Sequence, residues 1–294
     1  MGKVYLIGAG PGDPELLTVK AARLLQRATI VLHDSLVSRE VLQLIPREAE
    51  IIDVGKRCGQ KLLTQDEINQ LLIFHANRSP QSRSGRSLDR STDASVNPQP
   101  HHQPTTHAEV IRLKGGDPVV FGRAGEEIEA LRRANVPFEI VPGITAALGA
   151  AAAAGISLTD RRAASQIVIT TYSRGSDAAP ADPFAVTPQL NWAAISSSTT
   201  LVLYMPGADY SEVARRLREA GQPDDLPCVI VSNATNSQQQ IRWTNVASLA
   251  GEAKLPAPAL LIVGRVATQQ VEEIAATHWR PEPSERQSKH PTIS

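Results

Sequence analysis

The chain has 294 residues, enough for two ordinary domains, and its hydrophobic content of 41% supports a packed core rather than disorder. Thirty basic and thirty acidic side chains cancel to a formal net charge of zero, which argues against a general nucleic-acid or membrane-surface binder. The two cysteines, Cys58 and Cys228, are too few and too far apart for a disulfide framework or a zinc knuckle, and no stretch approaches a membrane span. A soluble cytoplasmic protein with reduced thiols and no metal is expected.

Val4, Leu6 and Ile7 form the first strand-like run, which ends at Gly8-Ala9-Gly10-Pro11-Gly12-Asp13-Pro14. From Glu15 the apolar residues Leu17, Ala21, Leu24, Leu25 and Ala28 fall at helical spacing, with Asp13 as the predicted N-cap and Pro14 as the first helical residue. The glycines resemble the opening of a dinucleotide fingerprint, but Asp13 stands where the third glycine belongs and would repel a pyrophosphate. No Gly-Lys-Ser/Thr follows, which also removes the P-loop. Thr29 to Leu32 reads as a second strand ending in His33-Asp34-Ser35, and Ile51, Ile52 and Val54 as a third ending in Gly55-Lys56-Arg57. Ionisable residues at the carboxyl ends of successive strands mark the edge where an open parallel sheet binds ligands, and this singles out Asp34 and Lys56.

Glu67 to Ala76 has helical spacing, after which the composition changes abruptly. Arg78 to His107 is rich in Ser, Pro, Gln, Arg and His, cannot bury enough surface to offset its ordering entropy, and reads as a disordered insertion, with His101, His102 and His107 as an incidental solvated cluster. The most specific stretch follows: Arg112-Leu-Lys-Gly-Gly-Asp-Pro-Val-Val-Phe121, where a strand gives way to a loop. Gly115 and Gly116 let a ligand approach bare backbone, Asp117 offers a carboxylate beside that opening, and Arg112, Lys114 and Arg123 surround it. A helix over Glu126 to Ala134, a strand over Pro137 to Val141 and the turn Pro142-Gly143-Ile144-Thr145 lead into an alanine-rich helix over Ala146 to Ala154, whose small side chains suit close packing at a domain junction.

We therefore predict a boundary near Pro142 to Gly143, giving an N-terminal α/β domain over residues 1–142 and a C-terminal one over 143–270. Strand-like runs at Gln166 to Thr171, Thr200 to Met205, Pro227 to Val231, Gln240 to Thr244 and Ala259 to Val263, with one clear helix over Tyr210 to Ala220, repeat the α/β rhythm. Residues 280–294 are polar and carry three prolines, and are expected to be disordered.

Taken together, Gly8 to Pro14, Asp34 with Leu36-Val37-Ser38, Val54 to Arg57, Arg112 to Arg123 and Pro142 to Ala146 resemble the tetrapyrrole methylase family, in order, from about Val4 to Val266. The resemblance implies two α/β domains in series with S-adenosylmethionine held in the cleft between them. It also implies transfer of two methyl groups onto carbons 2 and 7 of uroporphyrinogen III to give precorrin-2, and a homodimer acting on no nucleic acid or membrane. By motif, the cofactor contacts would be Pro11, Gly115, Gly116, Asp117, Val120, Thr145, Ala146, Met205 and Ala234. Asp34 and Lys56 match the family's proton acceptor and donor, and Arg112, Lys114 and Arg123 are cations expected at the cleft mouth for the substrate's carboxylates. Another acceptor, or a regulatory protein that binds the cofactor without turnover, is the alternative, because His33, Ser35, Ala124, Asp160 and Tyr172-Ser173 depart from the usual pattern.

Overall fold

The structure, a computed structural model, describes residues 2–55, 63–78, 109–172, 190–207 and 209–268. Lys56, Arg57, Cys58, the expected insertion from residue 79 onward with its three histidines, and the expected tail lie outside the described residues.

Strands β1 (Lys3–Gly8), β2 (Ile30–His33), β3 (Glu50–Asp53), β4 (Glu109–Lys114) and β5 (Phe138–Val141) form one sheet in the order β3-β2-β4-β1-β5, parallel throughout. Such a sheet is buried on both faces, and the period-2 alternation divides its side chains. Tyr5, Ile7, Val31, Ile111 and Leu113 pack beneath helices α1 (Val19–Leu25) and α2 (Arg39–Leu42). Val4, Leu6, Ile30, Leu32 and Val110 meet α3 (Gln65–Asn77) and α4 (Ala124–Arg133) on the other face. Helix α3 starts where a Thr64–Glu67 capping box satisfies two orphan amides.

The first helix departs from expectation. The carboxylate of Asp13 accepts from the Glu15 amide but caps only a single 3₁₀ turn, Pro14–Leu16, and Leu17 is extended. Helix α1 begins at Val19, where the Thr18 hydroxyl accepts from the Ala21 amide. The later cap prevails because the helix it starts carries Ala21, Leu24 and Leu25 onto the sheet.

Helix α5 (Ala146–Ala153) leads into a second, mixed sheet of β6 (Gln166–Thr171), β7 (Thr199–Tyr204), β8 (Pro227–Ser232), β9 (Gln240–Asn245) and β10 (Ala259–Val263), ordered β6-β7-β10-β8-β9. Only β6 and β7 run parallel; β7-β10, β10-β8 and β8-β9 are antiparallel. One face is covered by α6 (Ser211–Glu219) and α7 (Val246–Leu249), whose Val213, Leu217, Val246 and Leu249 pack on Leu201, Leu203, Ile230 and Leu261. The other face receives Ala147, Ala150 and Ala151 of α5 against Val202, Val229 and Ile262. Cys228 is buried in this second core, where desolvation pushes its thiol up to about 12. Among the described residues no helix is long and apolar enough to cross a membrane.

Candidate functional site

Parallel strands place all their carboxyl ends on one edge of the first sheet. The helices that follow β1 and β2 lie on one face and the helix that follows β4 lies on the other, so β4 is bordered on both sides by strands whose connections leave in the opposite direction. Crevices open where connections diverge in this way. The loop after β4, Gly115-Gly116-Asp117, therefore sits at the topological opening of the sheet.

Three loops are fastened there by backbone. Gly10 and Gly116 exchange hydrogen bonds in both directions, 3.1 and 2.8 Å, as an isolated antiparallel bridge. Gly143, after β5, approaches so closely that a methyl group on it would lie 2.3 Å from the Gly116 carbonyl and 2.8 Å from Gly8 Cα. The Asp117 carboxylate completes the joint: Oδ1 accepts from the Val119 amide at 2.9 Å and Oδ2 from the Gly143 amide at 3.0 Å. Asp117 is 8% exposed, so it holds the glycine loop in place from beneath.

The second half meets this edge through α5 and the strand-end loops of its own sheet. Gly149 of α5 has no room for a side chain because Pro11 lies there, at 2.6 Å from the position a Cβ would take. This explains the alanine and glycine content of α5, which must fit between a sheet and a loop. The nearest atoms to a side chain built on Gly116 are Ala146 N and Thr145 Cα, at 3.7 and 3.9 Å. Tyr204, at the end of β7, places its phenol oxygen 2.5 Å from Thr145 Oγ1 and accepts from the Ala147 amide at 2.8 Å. Its ring lies 4.9 Å from that of Phe121, across the junction. Burial raises the Tyr204 phenol above its ordinary range, partly offset by these two hydrogen bonds. The Asp13 amide donates to Thr235 Oγ1 at 3.2 Å, tying the first glycine loop to the segment that holds Ala234.

Of the residues nominated from sequence, Pro11, Gly116, Asp117, Thr145 and Ala146 are thus gathered at one junction, with Ala234 beside Thr235 and Met205 next to Tyr204. Gly115 borders Leu36, and Val120 closes the turn begun at Asp117. Phe121, Arg123, Met205, Asn233 and Thr235 all carry positive φ, between 48° and 66°. Non-glycine residues held there cost of order 1–3 kcal/mol each and cluster at functional sites. Phe121 and Met205 are nearly half exposed, as are neighbouring Leu36 and Val119 to a greater degree. Exposed apolar side chains at this junction suit contact with the apolar part of a ligand.

The cations stand elsewhere than expected. Strand alternation that buries Ile111 and Leu113 beneath α1 and α2 sends Arg112 and Lys114 to the α3/α4 face, where each is 2% exposed. They meet Glu127 of α4, whose Oε1 accepts from Arg112 Nε and Lys114 Nζ, both at 2.9 Å. Arg112 Nη2 donates to Asp34 Oδ1. Arg112 and Lys114 are therefore interior charges and not cations of the cleft mouth. Burial opposes the charge on Arg112, but attraction from Asp34 and Glu127 outweighs it and its affinity for the proton rises. Lys114 is lowered, by burial first and by repulsion from Arg112 second. Arg123 is exposed and pairs with Glu126 within its own helix turn. Asp34, directly after β2, keeps 26% of its side chain exposed. Lys56 lies outside the described residues.

Glu127, Tyr204 and Phe121 were not nominated from sequence. Glu127 had a legible signal, since Ala124, Glu127 and Leu131 share the buried face of α4. Tyr204 had none, because its role depends on where β7 ends relative to α5. A separate concavity of about 540 Å³, lined by Tyr5, Val19, Lys20, Arg23 and Glu139 among others, lies along α1 and contains none of these residues.

A family profile, Tetrapyrrole (Corrin/Porphyrin) Methylases, matches residues 3–250. A uroporphyrinogen-III C-methyltransferase of Paracoccus denitrificans (strain Pd 1222) is 42% identical over 289 residues, covering 95% of this chain and 88% of that protein. A siroheme synthase of Actinobacillus pleuropneumoniae serotype 7 (strain AP76) is 40% identical over 272 residues, covering 92% of this chain but 48% of its own length, so the chain spans about half of that relative. Among solved structures, a uroporphyrin-III C-methyl transferase from Thermus thermophilus complexed with S-adenyl homocysteine is 34% identical, with TM-score 0.66 and 90% and 98% of the two chains covered.

Proposed function

Because the chain belongs to the tetrapyrrole (corrin/porphyrin) methylase family, we propose that it is an S-adenosylmethionine-dependent methyltransferase that methylates uroporphyrinogen III at carbons 2 and 7 to give precorrin-2. The observation that carries this reading is the extent of the likeness to a uroporphyrinogen-III C-methyltransferase, 95% of the chain at 42% identity, which runs through both halves rather than through one motif.

S-adenosylmethionine, when bound, supplies an electrophilic sulfonium methyl. The chain's own part is then positioning, water exclusion and charge. We assign its binding to the junction: Pro11, Gly115, Gly116, Asp117, Val120, Thr145, Ala146, Met205 and Ala234. Support comes from the convergence of the strand-end loops and from the exposed apolar side chains of Phe121 and Met205. Holding a nucleophilic ring carbon in line with a reactive group contributes roughly 7–11 kcal/mol of barrier reduction. Alkylation of that carbon builds positive charge on the tetrapyrrole until a proton leaves, and a nearby carboxylate both stabilises the charge and takes the proton. Asp34 is assigned that role because it is partly exposed at the crevice beside β4 and is oriented by Arg112. Lys56 as proton donor rests on the Val54-Gly55-Lys56-Arg57 motif. Arg123, exposed at the start of α4, is the assigned contact for a substrate carboxylate, with Arg112 and Lys114 acting from behind Asp34.

A division near residue 143, a homodimer and a cytoplasmic location belong to the same reading. The division is supported by the two separate sheets, and the other two by the family resemblance. The test is an anaerobic incubation with S-adenosylmethionine and freshly generated uroporphyrinogen III, followed by absorbance and mass spectrometry. A product heavier by two methyl groups is expected. Cofactor binding without product would overturn the choice of acceptor.

A further inference from the structure

We infer that Glu127 is a positioning residue for the proton transfer assigned to Asp34, acting through Arg112; the inference rests on the reading of Asp34 given above. Glu127 is fully buried, and its Oε1 takes hydrogen bonds from Arg112 Nε and Lys114 Nζ at 2.9 Å each, with Gln65 Nε2 at 3.4 Å. The guanidinium is held at every nitrogen: Nε by Glu127, Nη1 by the Leu113 and Leu32 carbonyls at 3.3 and 3.5 Å, Nη2 by Asp34. Of the four charged groups, Arg112, Lys114 and Glu127 are almost wholly buried, and only Asp34 reaches the surface.

As a device for stability this arrangement is poor. Glu127 Oε2 is buried with no hydrogen-bond partner among the described residues, and an unsatisfied buried acceptor of this kind is destabilising. Buried ion networks replaced by apolar side chains of similar volume are often neutral or more stable. What the network supplies is a guanidinium fixed beside one partly exposed carboxylate. It also sets the charge around that carboxylate, because two cations face two carboxylates. With Glu127 neutral, Asp34 alone would answer both Arg112 and Lys114 and would be drawn inward, away from the crevice. Lys114, already lowered by burial and by Arg112, would lose its proton more readily still.

The test is a double-mutant cycle in the full chain with Glu127→Gln and Asp34→Asn, reading kcat, the KM for uroporphyrinogen III and the Kd for S-adenosylhomocysteine. Glu127→Gln is expected to lower kcat about tenfold or more while the Kd moves less than about twofold, and in the Asp34→Asn background to change the residual rate less than about threefold. Equal losses from Glu127→Gln in both backgrounds, or an unchanged kcat, would overturn the inference. Should Glu127→Gln fold poorly, Glu127→Gln with Lys114→Met removes one charge of each sign. It is expected to recover folding but not kcat, and wild-type kcat in that variant would equally refute the role. A wild-type protein without turnover would remove the reading of Asp34 itself, and the inference with it.

Discussion

Asp117 offers the sharpest test of how the glycine loop is held. Its two carboxylate oxygens accept from the Val119 and Gly143 amides at 2.9 and 3.0 Å, and the side chain is 8% exposed. Hydrogen bonds to a charged group contribute about 1.5–3 kcal/mol each, so Asp117→Ala removes roughly 3–6 kcal/mol from the joint between the loops after β4 and β5. Asp117→Asn keeps an acceptor for Val119 and presents an NH₂ group to the Gly143 amide, losing about half as much. The apparent Kd rises as the competent fraction falls, about tenfold for every 1.4 kcal/mol that displaces the loop. Asp117→Ala should therefore raise the S-adenosylhomocysteine Kd by about 100-fold or more and Asp117→Asn by about 10–100-fold, each with a lowered melting temperature. Isothermal calorimetry and thermal unfolding on the same preparations read both quantities. Equal loss of affinity in the two variants with unchanged melting would refute this account and point to direct charge recognition of the ligand.

Further outcomes follow from other atoms of the site. Gly143→Ala puts a methyl group 2.3 Å from the Gly116 carbonyl, where only backbone can yield. It should destabilise by about 1–3 kcal/mol or more and weaken the cofactor analogue with it; an unchanged melting curve would show that the loops separate freely. Tyr204→Phe removes the phenol that serves Thr145 and the Ala147 amide. A loss of about 1–2 kcal/mol in stability with a severalfold weaker Kd is expected, and full affinity would exclude Tyr204 as a support of the α5 start. Asp34→Asn should leave the Kd near wild type and slow single-turnover methylation by about 100-fold or more, a wild-type rate removing Asp34 from the chemistry. Cys228 provides a pH signature: its thiol is raised from 9.0 to about 12 in the folded chain. Between those values the unfolded chain loses a proton that the folded one keeps, so stability falls as pH rises, by about 1.4 kcal/mol at pH 10. Denaturant unfolding of wild type against Cys228→Ala from pH 8 to 10 should show that difference closing; a constant gap would contradict it.

The strands and the longer helices were legible because each carries its own period, whereas the four-residue helices α2 and α7 were not read. Apolar runs marked the strands, except β9, which showed only alternation of Ile241 and Trp243 with polar residues, and β4 even announced its face, since Ile111 and Leu113 alternate with Arg112 and Lys114. That alternation already implied that the two cations point together toward one helix layer. Reading them as mouth residues assumed that charge seeks water, whereas here Glu127 on the buried face of α4 supplies a partner. The first helix start was misread for a related reason: Asp13 and Thr18 are both good caps, and only packing on the sheet decides between them. The mixed order of the second sheet was not legible, because the runs from β6 to β10 specify strands but not the direction in which neighbours pair.

The same distinction separates what was nominated correctly as a neighbourhood from what was missed within it. Glycine loops at the ends of β1, β4 and β5 can be located from sequence because parallel strands must end on one edge. Their mutual contacts, Gly10 with Gly116 and Gly143 with Asp117, depend on loop paths that no local period encodes. Asp117 shows the consequence. A carboxylate beside a glycine pair invites a reading as a ligand contact, and its two oxygens also accept from the chain's own amides. Asp117 and the Gly10–Gly116 bridge together fix the backbone of this loop, so any affinity attributed to the Gly-Gly-Asp motif is divided between a surface and its support. A substitution series that separates affinity from melting temperature measures that division directly.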